Sequence, residues 1–271
     1  MSLRKSIARH YDSLALLYRT FWGEHIHHGL WLADDVPPRI AQEQLVAHLA
    51  ERAGVSGAER VLDVGCGYGA PARWLANQRD CRVTGVTISG AQARLARRYN
   101  ARSGCDERVD IVHADAAALP VRCGTVDVVW VIECLEHLED KRSFVEETAR
   151  ILRPGGRFAL CTWQRGDAVP ESEPLIQGVC EAFLCPSLAS AEEYRAWCDC
   201  AGLKVSCSED LTPQVRATWD ILLERTRRPW VAPLRWLLDH EVRRFVDGFT
   251  TIALAYASGV MSYGLLVASK P

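Results

Sequence analysis

Short continuous apolar runs alternate along this chain with segments whose apolar residues recur at helical spacing. In residues 37–53, Ile40, Leu45, Val46 and Leu49 mark one face of a helix that Gly54 and Gly57 end. The run Arg60–Val64 then reads as a buried strand, followed by glycines at positions 65, 67 and 69 and a helix-compatible segment over 70–78. A second strand is expected at Arg82–Thr87, and Ser89 is placed to cap a helix over Gly90–Arg102. A third strand, 109–114, ends at Asp115, and a fourth, Val126–Ile132, is almost wholly apolar and ends at Glu133. The helix over 141–152 stops at Pro154-Gly155-Gly156, before a fifth strand over 157–163. Helices alternating with continuous apolar strands predict an α/β fold with a parallel, doubly wound sheet, buried on both faces.

Past Trp163 the texture changes. Residues 166–186 read as loop and short helix, Ala191–Cys200 as helix and 203–208 as a sixth strand. Helices over 212–228 and 234–258 would cap the site, and 261–267 would form the last strand. The chain divides, within one domain, into an N-terminal lid (1–36), a ligand-binding core (37–163), a helical cap carrying the sixth strand (164–260) and a terminal strand segment (261–271).

Composition narrows the classes. The 271 residues are 48% hydrophobic and 24% charged, enough to bury a sizeable core. A net charge of -2 argues against a nucleic-acid binder with a broad basic surface. The arginines between Arg216 and Arg244 are interleaved with acids and read as a solvated helical face. No apolar secretory core follows Met1. The uncharged stretch 250–269 is long enough to cross a membrane, but Gly259, Gly264 and the strand pattern within it favour a buried helix end and a core strand. Eleven scattered cysteines without a Cys-x-x-Cys pair suggest reduced thiols in a cytoplasmic protein, and no structural zinc site.

Three strands end in polar groups, Asp63 with its glycines, Asp115 and Glu133, along the edge where such sheets bind ligands. Gly65-Cys66-Gly67-Tyr68-Gly69 departs from the dinucleotide spacing, and the second strand ends in Thr87-Ile88-Ser89 where a dehydrogenase would place an acid. No Lys-Ser or Lys-Thr pair follows the glycines, which excludes a nucleoside-triphosphate loop. The turn alone marks a nucleoside-bearing ligand without saying which.

The stretch 63–69 resembles the first motif of S-adenosylmethionine-dependent methyltransferases, and Asp115-Ala116, Glu133 and Leu152-Arg153-Pro154-Gly155-Gly156 follow in the matching order. Residues 22–29 (Trp-Gly-Glu-His-Ile-His-His-Gly) and 133–141 are similar to the tocopherol methyltransferases, a group close to the sterol C-methyltransferases and some alkaloid N-methyltransferases. Residues 86–92 match the same group, except that Gly90 stands where proline is common. The resemblance implies a Rossmann-like seven-stranded sheet with an antiparallel last strand, S-adenosyl-L-methionine as cofactor and S-adenosyl-L-homocysteine as product. It also implies site roles. Gly65 and Gly67 would let the backbone pass the cofactor, and Asp63 would support the turn and reach the methionine ammonium. Thr87 and Gln92 would sit by the ribose and adenosine, Asp115 and Ala116 by the adenine, and Ile132 and Glu133 at the methionine end, with Cys66 and Ile88 also cofactor-binding. Tyr11 and Trp22 would close over it from the lid.

His137 is the candidate base, because imidazole titrates near neutrality and a hydroxyl, phenol or amine acceptor must lose a proton. Glu133 or Glu136 would orient it. His25, His27 and His28 lack a fixed carboxylate partner, so no metal is expected and one of them, His25 or His28, would touch the substrate. Nine tryptophans, with Trp163, Trp219, Trp230 and Trp236 on or beyond the fifth strand, suit a small apolar acceptor, aromatic or isoprenoid-like. The expected activity is methyl transfer to an O, N or C atom of a secondary metabolite. A methyltransferase for a polar head group such as phosphoethanolamine or a sugar stays open, as does a non-catalytic cofactor-binding regulatory module; His137 and the tryptophan-rich cap favour an enzyme. Oligomeric state is not legible.

Overall fold

The structure is a computed structural model that describes residues 3–166, 173–227 and 240–271. Trp230 and Trp236, the end of the 212–228 segment and the start of the 234–258 segment lie outside the described residues. Strands β1 (Arg60–Val64), β2 (Arg82–Thr87), β3 (Val109–His113), β4 (Val126–Ile132), β5 (Leu152–Arg165), β6 (Lys204–Asp210) and β7 (Met261–Ser269) form one sheet in the order β3-β2-β1-β4-β5-β7-β6. The first five run parallel, and β7 lies antiparallel between β5 and β6. The implied seven-stranded, mostly parallel sheet is therefore present.

Central strands are apolar on both faces because helices cover both. On one side α3 (Pro38–Arg52), α4 (Ala70–Arg79) and α5 (Gly90–Arg102) bury Leu45, Leu49, Leu75 and Ala96 against Val61, Val128 and Trp130. On the other, α6 (Lys141–Ile151) and α8 (Ala191–Cys200) bury Phe144, Val145 and Tyr194 against Val129, Val131 and Phe158.

Two differences from expectation, at the start of β5 and within the 212–228 helix, have local causes, whereas the described residues of the 166–186 and 250–269 segments are as expected. β5 begins at Leu152, not 157, because Leu152 already pairs with Val126, and Gly155 and Gly156 exchange backbone hydrogen bonds with Lys270. Within 166–186 an eleven-residue helix, α7 (Glu173–Phe183), forms. The 212–228 helix is broken at Arg216 into α9 (Thr212–Val215) and α10 (Ala217–Thr226), the Trp219 N–H reaching back three residues to the Arg216 carbonyl. The uncharged 250–269 stretch is the end of α11 (His240–Ala257), a turn at Gly259 and β7; no described helix is long and apolar enough to cross a membrane.

The lid consists of α1 (Leu3–Ser13), α2 (Ala15–Phe21) and an irregular segment over 22–36. It is fastened to the core at its ends and middle. Arg4 pairs with Asp115 at 3.2 Å, Asp12 Oδ1 accepts from Ser89 Oγ at 2.6 Å and from the Ala91 N–H at 2.9 Å, and the Tyr68 hydroxyl donates to the Ala15 carbonyl at 2.6 Å.

Candidate active site

The chain leaves β1 toward β2 but enters the other half of the sheet at β4, which also neighbours β1. That reversal opens a crevice above the carboxyl ends of β1 and β4. A cavity of about 330 Å³ lies there, roofed by Leu3, Arg4, Ile7 and Tyr11 of α1. Of the residues expected around the cofactor, Tyr11, Asp63, Gly65, Cys66, Gly67, Thr87, Ile88, Gln92, Asp115, Ala116, Ile132 and Glu133 all line it. Trp22 does not; it packs 5.5 Å from the Trp219 ring and lines a second cavity.

Backbone geometry explains the glycines. Gly65 has φ +82°, and a Cβ there would lie 2.5 Å from the Cys134 Cβ, so the turn after β1 can approach the end of β4 only as glycine. At Gly67, φ is +53° and a Cβ would meet Ile26 of the lid at 3.0 Å.

Among the described residues, two buried polar atoms in the cavity wall have no partner, Asp63 Oδ2 and Gln92 Nε2. Burial pushes the Asp63 carboxyl up to about 7. The other end of Gln92 is fixed, its Oε1 accepting from Thr87 Oγ1 at 2.9 Å, while Thr87 Oγ1 accepts from the Ser89 N–H at 3.2 Å. Buried polar groups are rarely left unpaired, so the wall calls for a ligand with a cation near Asp63 and a hydrogen-bond acceptor near Gln92. The ammonium and ribose oxygens of S-adenosylmethionine meet both needs, and the residues fit the cofactor.

The second cavity, about 40 Å³, is lined by Tyr11, Tyr18, Trp22, Ile26, Glu133, Glu136, His137, Trp163, Phe183, Trp219 and Phe245. Tyr11, Ile26, Glu133 and His137 belong to both linings and form the wall between them. His137 Nδ1 lies 3.3 Å from the Leu184 carbonyl, which can only accept, so Nδ1 carries the proton. Its Nε2 then accepts from the Tyr11 hydroxyl at 2.8 Å. Burial holds the His137 pKa down at about 4, and pushes that of Tyr11 well up.

Neither carboxylate orients His137, contrary to expectation. Glu136 turns toward β5, where its Oε1 accepts from the Thr162 hydroxyl at 2.8 Å and the Trp163 N–H at 2.6 Å. Burial, with the charge of Glu133 beside it, pushes Glu136 up to about 7. Glu133, at φ +52°, faces the lid and β7: Oε1 accepts from the His28 N–H, His28 Nδ1 and the Tyr263 hydroxyl, and Oε2 from the Trp163 indole. Burial opposes ionisation there, but the His28 ring and N–H outweigh it and hold the pKa below the ordinary carboxylate value.

The expected substrate histidines are also placed elsewhere. His28 is fully buried, with one nitrogen on Glu133 and the other on Trp219 Nε1 at 2.7 Å. His25 Nδ1 donates to His27 Nε2 at 3.0 Å, because His27 Nδ1 is committed to the His28 carbonyl at 2.8 Å. Neither His25 nor His28 lines either of these two cavities; His27 lines the larger one. Burial lowers the pKa of both His25 and His27. Trp163 and Trp219 do face the smaller cavity, joined by Tyr18, Phe183 and Phe245. Periodicity did not single out those three, and Leu184, which sets the His137 tautomer, acts only through its carbonyl.

Comparison with known proteins agrees with this geometry. A family model described as methyltransferase domain matches residues 62–160. The 27-O-demethylrifamycin SV methyltransferase of Amycolatopsis mediterranei is 35% identical over 227 residues, covering 81% of each chain. A probable chloroplastic tocopherol O-methyltransferase of Oryza sativa subsp. japonica is 32% identical over 294 residues, covering 99% of this chain and 79% of that one. The chain belongs to the class I S-adenosylmethionine-dependent methyltransferases. Among solved structures, the [4+2]-cyclase SpnF superposes with a TM-score of 0.82 at 25% identity, covering 100% of this chain and 97% of that one. As a methyltransferase, the chain takes S-adenosyl-L-methionine as cofactor and acts on a small-molecule acceptor.

Proposed function

We propose that this methyltransferase methylates a hydroxyl oxygen of a small, largely apolar secondary metabolite, aromatic or isoprenoid-like. Bound S-adenosylmethionine supplies a methyl group already activated by the positive sulfonium. Asp63, Gln92 and the backbone at Gly65 and Gly67 would hold it, and the small aromatic cavity beyond Glu133 and His137 would receive the reacting end of the acceptor. The observation that carries the reading is the His137 ring, fixed at the wall between the two cavities with an unprotonated Nε2 that already accepts from a hydroxyl, that of Tyr11. The acceptor oxygen forms its new bond to the methyl carbon, the old bond's electron pair stays on sulfur, and the hydroxyl proton passes to Nε2. A base of low pKa suffices, because an oxygen that is gaining a methyl group becomes strongly acidic as the bond forms. Tyr11 marks the place the acceptor hydroxyl takes, or relays the proton from it. Two of the relatives, with tocopherol and 27-O-demethylrifamycin SV in their names, support an apolar acceptor carrying a hydroxyl.

A screen with labelled methyl donor over prenylated phenols, indoles, amines and sterols tests this. Label should enter phenolic or alcoholic oxygens and disappear when that hydroxyl is capped. Transfer confined to nitrogen, to ring carbon, or to phosphoethanolamine and sugars would overturn it.

A further inference from the structure

Lys141, at the start of α6, is 4% exposed, and burial lowers the pKa of its ammonium. A buried ammonium is costly unless its protons are taken up. Its Nζ donates to the Leu138 carbonyl at 2.7 Å and to Ser187 Oγ at 3.2 Å. Those two acceptors belong to different parts of the chain. Leu138 closes the single helical turn Leu135–His137 that carries the base. Ser187 lies in the segment that follows α7, close behind Leu184, whose carbonyl accepts from His137 Nδ1 at 3.3 Å. One buried cation therefore joins the turn that bears the base to the segment that fixes its proton.

The segment that Lys141 ties down is itself strained. Leu184 has φ +55°, a left-handed conformation that a leucine adopts only under constraint. It stands just past the last residue of α7, where glycine is usual, and the Cys185 N–H reaches back to the Cys180 carbonyl at 2.9 Å to close the helix end. Pro186 stops the helix from running on. Backbone strain of this kind persists where surrounding contacts hold it, and it gathers at functional sites. Here the preceding residue, Phe183, lines the smaller cavity, while the Leu184 carbonyl meets the base.

We propose that Lys141 is a positioning residue for the methyl transfer: it keeps the Leu184 carbonyl on His137 Nδ1 and so holds the base in the tautomer whose Nε2 is unprotonated. The inference rests on the reading of hydroxyl methylation with His137 as base. Which nitrogen of a neutral histidine carries the proton is set by the hydrogen bond the other makes. With the Leu184 carbonyl displaced, the proton can move to Nε2. That nitrogen then donates to Tyr11 instead of accepting from it, and no lone pair is left to receive the acceptor's proton. The Lys141 charge also opposes a second proton on the ring, which keeps the base neutral. Because Phe183 and Leu184 are adjacent, one short segment both shapes the acceptor's cavity and places the proton of the base.

Nitrogen-15 NMR of the full chain with labelled histidine rings tests this, the His137 signals being identified by their absence in His137→Ala. In the wild type near neutral pH, Nδ1 should carry the proton and Nε2 none. Lys141→Met keeps the length of the side chain and removes the ammonium. It should give a mixture of tautomers or the Nε2–H form and leave S-adenosylhomocysteine affinity unchanged. Its kcat should fall by about tenfold or more, inside the range a positioned base supplies. Ser187→Ala loosens one end of the clamp and should shift tautomer and kcat the same way, by less. An Nε2–H ring in the wild type overturns the proposal, and so does the wild-type tautomer in a folded Lys141→Met chain, whatever its turnover. If Lys141→Met does not fold, Ser187→Ala decides in the same way. An unmoved tautomer in the variants leaves hydroxyl methylation standing. Failure of that reading shows instead as label on nitrogen or carbon, with the tautomer shift in Lys141→Met still present.

Discussion

The Tyr11 hydroxyl and His137 Nε2 lie 2.8 Å apart, joining the lid helix to the loop after β4 across 126 positions of sequence. The contact completes the wall between the two cavities and points the unprotonated nitrogen at it. His137→Ala should therefore lower kcat by about 10²–10⁴, the usual range for a positioned base, and leave S-adenosylhomocysteine affinity unchanged. Tyr11→Phe should cost less, since the ring and its packing remain. With the His137 pKa held at about 4, the base stays neutral down to mild acid. The kcat profile should be flat from pH 8 to about 5.5 and fall only as pH approaches 4. A break near 6.5 would mean that the ring is not held as described.

Glu136 should set a pH dependence of stability. Its folded pKa, raised to about 7 from 4.5, means that the folded protein binds the proton more tightly than the unfolded chain. Its contribution is then favourable below 4.5 and is lost as pH rises to about 7. Glu136→Gln keeps the shape and the Oε1 acceptor for Thr162 and Trp163 without the charge. The variant should gain on the wild type as pH rises from 4.5 to 7, by at most about 3 kcal/mol, with a constant gap above that. Thermal melts across this range measure it, and parallel melting curves would refute it.

The sheet was legible because its strands are buried on both faces and leave continuous apolar runs, as in Val126–Ile132. The polar strand ends were legible for the same reason: Asp63, Asp115 and Glu133 interrupt those runs at the sheet edge. The partners of each side chain were not. Adjacency in sequence suggested Glu136 as the orienter of His137, but in the single turn of helix over Leu135–His137 the two side chains diverge, one to β5 and one to Leu184. The His25-His27-His28 pattern suggested a ligand-facing lid. Its rings instead bond one another, Glu133 and Trp219, a contact 191 positions away that no local pattern encodes.

The glycine turn makes a separable prediction. Gly67→Arg forces a side chain into a left-handed position against Ile26, in the wall of the larger cavity. It should abolish S-adenosylhomocysteine binding in a chain that still folds. Gly65→Ala is a packing lesion instead, because the new Cβ meets Cys134 at 2.5 Å. Adding Cys134→Gly removes the colliding atoms and should recover part of the lost melting temperature. It cannot recover all of it, since φ +82° remains unfavourable for alanine. Full recovery would show that crowding, not backbone conformation, dominates there.

Asp63 gives the cofactor site its own pH signature. With Oδ2 unpartnered among the described residues, its carboxyl is pushed by burial to about 7, so below neutrality it is largely protonated. An ammonium group arriving beside it favours the ionised form, and binding must then release the proton. Affinity for S-adenosylhomocysteine should be constant above about pH 7 and weaken toward tenfold per pH unit below it, since each unit adds 1.36 kcal/mol to the cost of ionising the group. Calorimetry in two buffers of different ionisation enthalpy should show up to one proton released near pH 6 and almost none at pH 8.5. Asp63→Asn should bind more weakly at pH 8.5 and lose the pH dependence altogether. If the dependence survives in that variant, the titrating group lies elsewhere and Asp63 does not meet the ammonium.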